Sequence, residues 1–132
     1  MNQTKRKIFL LDDDETFLNE TKGVLEETGH QVCTCSRPLE SIILVKEFNP
    51  DCLVLDLNMP LFDGEAFMPW LHRQFPDLAV IVCTGKEEFD KQIFLKLGVR
   101  YFIQKPFQLE LLCISIENAV IERAVPAKRL AA

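Results

Sequence analysis

The sequence predicts an α/β fold, a doubly wound five-stranded parallel sheet with helices on both faces. Apolar, strand-like runs alternate five times with amphipathic helical segments along the 132 residues. The helical segments span roughly 10–15 residues, which suits parallel pairing through right-handed crossovers. The strand runs are apolar throughout, as strands covered by helices on both faces must be. Together these observations favour one compact domain with a central sheet.

Each predicted strand is a short apolar run, and each predicted helix carries apolar residues at helical spacing. The strands are Lys7–Leu11, Val32–Cys35, Cys52–Leu55, Leu78–Cys83 and Tyr101–Ile103. The first and fourth helices are Asp14–Thr28 and Glu87–Leu97, and the last runs from Gln108 to about Arg123. The second begins near Pro38 with apolar positions up to Phe48, and the third is opened by Gly64.

Local signals set the ends of these helices. Gly29 is placed to stop the first helix. Ser36 is the predicted N-cap of the second helix, whose buried face is expected to include Leu39 and Ile43. Pro69 lies inside the third segment, so that helix is expected to start late or to bend.

Composition narrows the class of protein. The chain carries a net charge of −5 and has no basic stripe, which argues against nucleic-acid binding. It has neither an apolar run of ~20 residues nor a signal peptide, so we expect a cytoplasmic protein without a membrane span. The cysteines are odd in number, and no second Cys or His pair completes a zinc site beside Cys33 and Cys35. We therefore expect buried or half-buried free thiols.

The chain is predicted to hold one domain over residues 1–123, close to the most common domain size. Residues 124–132 contain Pro126 among small and basic residues. This segment is expected to be a linker or an appended tail.

Acidic residues follow two of the predicted strands. Asp12, Asp13 and Asp14 come directly after the first strand, and Asp56 comes directly after the third. The carboxyl ends of neighbouring parallel strands meet at one edge of the sheet, so these acids are expected to share a crevice. Like charges this close are unfavourable without a cation among them. The pattern therefore predicts a divalent metal site, although Asp14 is better explained as a helix N-cap.

With these residues the chain resembles a response-regulator receiver domain of two-component signalling over residues 5–123. The matching segments are Phe9–Asp14, Val54–Gly64, Ile81–Gly85 and Phe102–Phe107, read as FLLDDD, VLDLNMPLFDG, IVCTG and FIQKPF. The resemblance implies a flavodoxin-like (βα)5 fold with strand order 2-1-3-4-5.

The resemblance also assigns the site. Asp56 would be the phosphoacceptor. Asp13 would bind Mg²⁺ directly and Asp12 mainly through water. Asp56 and the backbone carbonyl of Asn58 would complete the protein ligands. Six-oxygen coordination with retained waters is what Mg²⁺ prefers.

Three more positions match the family pattern. The Thr84 hydroxyl and the Lys105 ammonium would contact the phosphoryl group. Phe102 would be the aromatic residue that changes position with phosphorylation. The Lys105–Pro106 bond is expected to be cis by the same resemblance.

The implied function is a signalling switch. A histidine kinase or histidine phosphotransfer protein would donate the phosphoryl group in a Mg²⁺-dependent reaction. The face formed by the fourth helix, fifth strand and fifth helix would then change shape for an output domain or effector, and a phosphorylation-dependent homodimer is one such outcome. The domain would phosphorylate and dephosphorylate itself, so it is not expected to be an enzyme.

Other readings of the residues are a haloacid-dehalogenase-like phosphatase, an FMN carrier and a receiver that only docks a partner without phosphorylation. The phosphatase needs a second Asp two residues after the nucleophile, where this chain has Asn58. The carrier needs a glycine- and hydroxyl-rich loop after the first strand, where this chain has three acids. The intact set of acids, Thr84 and Lys105 argues against a docking-only receiver.

Overall fold

The computed structural model describes residues 5–124 as five alternating strands and helices. The strands are β1 (Lys7–Leu11), β2 (Gln31–Cys35), β3 (Cys52–Leu55), β4 (Ala79–Thr84) and β5 (Tyr101–Gln104). The helices are α1 (Glu15–Glu27), α2 (Pro38–Phe48), α3 (Gly64–Gln74), α4 (Lys91–Lys96) and α5 (Leu109–Ala124). The strands are all parallel and lie in the order β2-β1-β3-β4-β5, which confirms the predicted fold.

The sheet separates two apolar cores. Alternate residues along each strand point to opposite faces, so Ile8 and Leu10 of β1 pack with α1 and α5, whereas Phe9 and Leu11 pack with α2, α3 and α4. Strand β3 is buried at all four positions. This two-sided burial is why the central strands are apolar without alternation, whereas the edge strands β2 and β5 also carry exposed and polar residues.

Helix α2 departs from the predicted packing. Leu39 and Ile43 are exposed, and the helix buries Ser41 and Val45 instead. Ser36 is not the N-cap, since Arg37 holds that position and its side chain makes no capping hydrogen bond. The helix begins with Pro38, whose fixed φ and missing N–H suit the first turn.

Helices α3 and α4 differ from the expected bounds. Helix α3 starts at Gly64 and continues through Pro69 to Gln74, so the late start considered for it is wrong. Helix α4 starts at Lys91 rather than Glu87, because the Asp90 side chain accepts a hydrogen bond from the backbone N–H of Gln92 at 3.1 Å and caps it there. The residues before Asp90 form a loop after β4.

Among residues 5–124, two non-glycine residues adopt left-handed backbone conformations. Asn49 ends α2 with φ 51°. Leu61 has φ 56° in the turn that follows β3, where Phe62 N–H donates to the Met59 carbonyl at 3.3 Å. Asparagine tolerates this conformation and leucine does not, so the loop beside Asp56 carries backbone strain that the α2 terminus avoids.

Gly64 is required by close packing and not by an unusual φ. A β-carbon added there would lie 2.5 Å from Leu57 Cδ2. The glycine therefore lets the start of α3 pack against the segment that follows Asp56.

The remaining sequence expectations concern cysteines, the tail and membranes. The five cysteines are free thiols, buried or half-buried as predicted. Residues 125–132 of the predicted tail lie outside the described residues. Within residues 5–124, no helix combines the length and apolar character that crossing a bilayer requires.

Candidate functional site

The predicted site residues come together at the carboxyl edge of the sheet. Asp12 follows β1 and Asp56 follows β3, and these strands are paired through Leu11 and Leu55. Thr84 ends β4, and Lys105 follows β5 directly. The order of the strands therefore brings four separate chain segments to one crevice.

Three carboxylates form the centre of this crevice. Oxygen atoms of Asp12, Asp13 and Asp56 all lie within 4.8 Å of one another. Asp12 is 2 % exposed and Asp56 is 4 % exposed, whereas Asp13 faces solvent. Charged oxygens this close and this buried repel each other unless a cation balances them.

Lys105 supplies one such cation. Its Nζ lies 2.5 Å from Asp12 Oδ2 and 3.6 Å from Asp56 Oδ2. Partial burial by itself would lower the pKa of Lys105, but the hydrogen bond and the charges of the two acids outweigh it and raise the pKa above its usual value. The lysine is therefore a fixed positive charge between the two buried acids.

One lysine does not neutralise three acids. Burial raises the pKa of Asp12 to about 6, and the charge of Asp56 adds to this rise against the hydrogen bond from Lys105. A divalent cation fits the donor set, because carboxylate oxygens are the ligands that Mg²⁺ prefers and Asp13 leaves the cluster open to its waters. We infer that Asp12, Asp13 and Asp56 are the residues able to hold the metal.

Backbone N–H groups fix the orientation of the two buried acids. Asp14 N–H donates to Asp12 Oδ1 at 2.9 Å, and Asn58 N–H donates to Asp56 Oδ1 at 3.0 Å. The second oxygen of each acid is then directed toward Lys105. Asn58 lies in the loop next to Asp56, and the role of its carbonyl as a metal ligand stays a prediction.

Asp14 has the separate role that the sequence predicts for it. Its side chain accepts a hydrogen bond from Phe17 N–H at 3.1 Å and caps α1. The three consecutive acids thus divide into two members of the carboxylate cluster and one helix cap.

Thr84 lies at the same edge with its hydroxyl partly engaged. Its Oγ1 accepts a hydrogen bond from Lys86 N–H at 3.1 Å, and the residue is buried. This bond uses an oxygen lone pair and leaves the hydroxyl proton available to an acceptor in the crevice. The Lys105 N–H donates to the Thr84 carbonyl at 3.0 Å and joins the two segments.

Phe102 is held in an aromatic cluster on the α4 side of the sheet. Its ring stacks on Phe89 with centroids 6.1 Å apart and meets Phe94 edge to face at 6.3 Å. Lys91 Nζ lies 4.6 Å from the centroid of Phe102. The residue predicted to switch is therefore packed against the loop that begins at Thr84.

Sequence reasoning missed one residue at this site. Phe17 was not predicted to be a site residue, but its ring centroid lies 4.4 Å from Lys105 Nζ. The available signal was its place in the first turn of α1, whose N-terminus lies at the carboxyl edge. The expected cis bond between Lys105 and Pro106 is present.

Comparison with known proteins agrees with this geometry. The family model of the response regulator receiver domain matches residues 8–117. The alkaline phosphatase synthesis transcriptional regulatory protein PhoP of Bacillus subtilis is 34 % identical over 103 residues, which cover 77 % of this chain and 43 % of that protein. The transcriptional regulatory protein PrrA of Mycobacterium tuberculosis is 28 % identical over 125 residues, covering 94 % of this chain and 54 % of its own length. The chain thus spans about half the length of these curated relatives.

Solved structures agree as well. The receiver domain of NtrC4, solved as a beryllofluoride-activated dimer, superposes with a TM-score of 0.80 at 31 % identity and covers 89 % of this chain and 98 % of its own. A CheY-like receiver domain protein from Methanospirillum hungatei has a TM-score of 0.84 at 23 % identity, with 92 % and 98 % covered, and supports the fold alone. The family match, these likenesses and the charged crevice agree: the chain belongs to the response regulator receiver domain family.

Proposed function

We propose that this domain is the phosphoacceptor of a two-component phosphorelay and that Asp56 accepts the phosphoryl group. The observation that supports this most strongly is the cluster of Asp12, Asp13 and Asp56, with Lys105 bridging its two buried members. A buried cluster of like charges is unfavourable for folding alone, so its presence indicates a role in binding or chemistry.

Asp56 has the surroundings that a carboxylate nucleophile needs. Its Oδ1 is held by the Asn58 N–H, and its Oδ2 lies 3.6 Å from Lys105 Nζ. In transfer from a phosphohistidine, Oδ2 forms the new P–O bond while the P–N bond breaks. The departing imidazole nitrogen keeps the electron pair and takes up a proton. Attack in line with the breaking bond is the geometry that phosphoryl transfer requires.

We assign the metal site to the side chains of Asp12, Asp13 and Asp56 and to the Asn58 carbonyl. Bound Mg²⁺ would neutralise the carboxylates and the charge on the phosphoryl oxygens, which otherwise repel. Lys105 would provide the second cation to the phosphoryl group. Thr84 would donate the hydroxyl proton that its bond from Lys86 leaves free.

The signal would leave the site through Thr84 and Phe102. Phosphorylation adds charge, and Thr84 moves toward it, which disturbs the loop carrying Phe89. Phe89 stacks on Phe102, so the aromatic cluster is the element that would change between two states. The affected face is formed by α4, β5 and α5.

Partners follow from the same proposal. The donor would be a histidine kinase or a histidine phosphotransfer protein, and the cytoplasm is the compartment that the sequence argument favours. The relatives are longer proteins named as transcriptional regulators, so an output domain or separate effector is proposed for the receiver. The NtrC4 domain forms a dimer when activated, and a phosphorylation-dependent homodimer is proposed here by analogy. The domain would phosphorylate and dephosphorylate only itself.

Phosphotransfer from a labelled donor tests the proposal. The domain is mixed with a histidine kinase carrying ³²P on its histidine, with Mg²⁺ or with excess chelator. We expect label to appear on the domain only with Mg²⁺. The label should survive denaturation but be lost in hydroxylamine, which cleaves acyl phosphates. Label of equal amount in the presence of chelator, or label stable to hydroxylamine, would contradict the assignment.

A further inference from the structure

The Phe17 ring lies against Lys105, the lysine that is paired with the two buried acids. It lies in the first turn of α1 and is half-buried. The Lys105 ammonium, paired with Asp12 and Asp56, is 4.4 Å from the centroid of the Phe17 ring. At this distance a cation is attracted by the negative face of an aromatic ring.

The ring is itself fixed by a second aromatic residue. Phe107 meets Phe17 edge to face, with centroids 6.0 Å apart and planes at 68°. Phe107 lies two residues after Lys105, so the loop that carries the lysine also supports the ring beneath its ammonium. The Phe17–Phe107 pair therefore joins the start of α1 to the loop before α5.

An aromatic face suits this position better than a polar group does. A lysine side chain is a long flexible stem with a strongly hydrated ammonium, and many of its rotamers point to water. A phenyl ring attracts the ammonium without offering a hydrogen-bond acceptor that would compete with the acids or an incoming phosphoryl group. It also excludes water from one side of the ammonium.

We propose that Phe17 is a positioning residue that holds the Lys105 ammonium in the crevice, ready to contact the phosphoryl group as it reaches Asp56. This inference rests on the proposed function. Phe17 touches neither the phosphoryl group nor the metal, and it acts through Lys105 alone. The alternative role for Phe17 is simple packing between α1 and the loop before α5.

Three variants separate positioning from packing. Phe17→Leu keeps an apolar side chain but removes the aromatic face, and Phe17→Tyr keeps the face. Phe48→Leu is the matched control, because Lys7 Nζ lies 4.8 Å from the Phe48 centroid at the opposite edge of the sheet. Phe48 also contacts Phe9, so this substitution disturbs packing as well as a cation–π pair.

The test measures the initial rate of Asp56 phosphorylation across acetyl phosphate concentrations at saturating Mg²⁺, together with Mg²⁺ affinity and the NMR shifts of the Lys105 ε-methylene protons. We expect Phe17→Leu to lower the maximal rate by about three- to tenfold, with Mg²⁺ affinity unchanged. The Lys105 ε protons should lose their upfield ring-current shift. Phe17→Tyr should restore both readouts, and Phe48→Leu should leave the rate at the wild-type value.

Wild-type rates in Phe17→Leu would overturn the inference. Equal slowing in Phe17→Leu and Phe17→Tyr, or in Phe17→Leu and Phe48→Leu, would also overturn it because packing would then explain the loss. These results differ from failure of the proposed function, in which the wild-type domain itself takes up no phosphoryl group.

Discussion

An aspartate flanks each end of strand β3, and the two acids have opposite surroundings. Asp51, at the amino edge of the sheet, is exposed and accepts a hydrogen bond from Lys7 N–H at 2.8 Å. Asp56, at the carboxyl edge, is buried beside two more acids. Asp51 joins neighbouring strands, whereas Asp56 lies in a cluster that needs a cation.

The loops at the two edges of the sheet also differ, in their backbone strain. At the amino edge the left-handed residues are Gly29, Gly98 and Asn49, all of types suited to that conformation. At the carboxyl edge the left-handed residue is Leu61, fully exposed and strained. Pro60 precedes Leu61, and the Phe62 N–H closes the turn, a pattern in which position Leu61 favours glycine. The carboxyl edge thus carries both the strained Leu61 and the cluster of buried acids. Such unfavourable features are typical of functional sites.

The largest expected effect concerns metal binding. Asp13 is a proposed oxygen ligand of Mg²⁺, so Asp13→Ala should weaken Mg²⁺ binding by at least about tenfold. Asp14→Ala should leave Mg²⁺ affinity nearly unchanged and reduce the free energy of unfolding by about 0.5–2 kcal/mol, because it removes the cap of α1. Isothermal titration and chemical denaturation of both variants measure the two effects. Equal losses of Mg²⁺ affinity would show that the acids are misassigned.

A smaller effect distinguishes hydrogen bonding from charge at the amino edge. Asp51→Ala leaves Lys7 N–H without its acceptor and should lower the free energy of unfolding by about 0.5–1.5 kcal/mol. Asp51→Asn keeps an acceptor oxygen and should lose clearly less. Urea denaturation compares the two variants. If Asn were as destabilising as Ala, the role of Asp51 would depend on its charge, and the contrast with Asp56 would be weaker.

Relieving the strain in the turn at Leu61 should change the stability by a smaller amount still. Leu61→Gly removes the left-handed strain at a fully exposed side chain, at some cost from the added freedom of the unfolded chain. We expect a net stabilisation of about 0.5–1 kcal/mol from these opposing effects. Asn49→Gly should change stability by less than about 0.5 kcal/mol, since asparagine already accepts this conformation. A thermal melt in which Leu61→Gly is less stable than the wild type would refute the strain argument.

His30 gives the amino edge a dependence on pH. Its Nδ1 accepts a hydrogen bond from Arg6 N–H at 3.0 Å, and Glu117 lies 3.6 Å from its Nε2. Burial lowers the pKa of His30 below its usual 6.5, despite the opposing effect of Glu117. The unfolded chain therefore binds the proton more readily, so the stability contributed by neutral His30 is complete above pH 6.5 and falls as the pH drops below it.

Chemical denaturation at a series of pH values from neutral to acidic measures the contribution of His30 to the free energy of unfolding. In His30→Asn, the side-chain oxygen can replace Nδ1 as acceptor but does not titrate. As the pH falls, the free energy of unfolding should decrease more for the wild type than for His30→Asn. A difference that stays constant from neutral to acidic pH would contradict this role.

The sequence was sufficient for the sheet and for most of the site. Parallel strands buried on both faces have a simple signature, and topology then requires Asp12, Asp56, Thr84 and Lys105 to meet at one edge. Once the order of strands and helices along the chain is known, few alternative sheet topologies exist. The family resemblance supplied the roles that geometry alone does not distinguish.

The predictions that failed concern packing. Helix α2 is apolar on nearly every side, so periodicity gave the wrong face: Leu39 and Ile43 are exposed, and Val45 is buried instead. The segment before Asp90 has apolar spacing, but Phe89 packs on Phe102 instead of joining α4. The contact of Phe17 with Lys105 joins residues far apart in the chain, and the place of Phe17 in the first turn of α1 was a weak signal for it.

The most direct test of Asp56 as the phosphoacceptor compares the two aspartates that flank β3. Wild type, Asp56→Asn and Asp51→Asn are incubated with acetyl phosphate and Mg²⁺, and intact-mass spectrometry counts the added phosphoryl groups. We predict one phosphoryl group on the wild type and on Asp51→Asn, and none on Asp56→Asn. Persistent labelling of Asp56→Asn, or loss of labelling in Asp51→Asn with its fold intact, would contradict the account of the carboxyl edge as the reactive one.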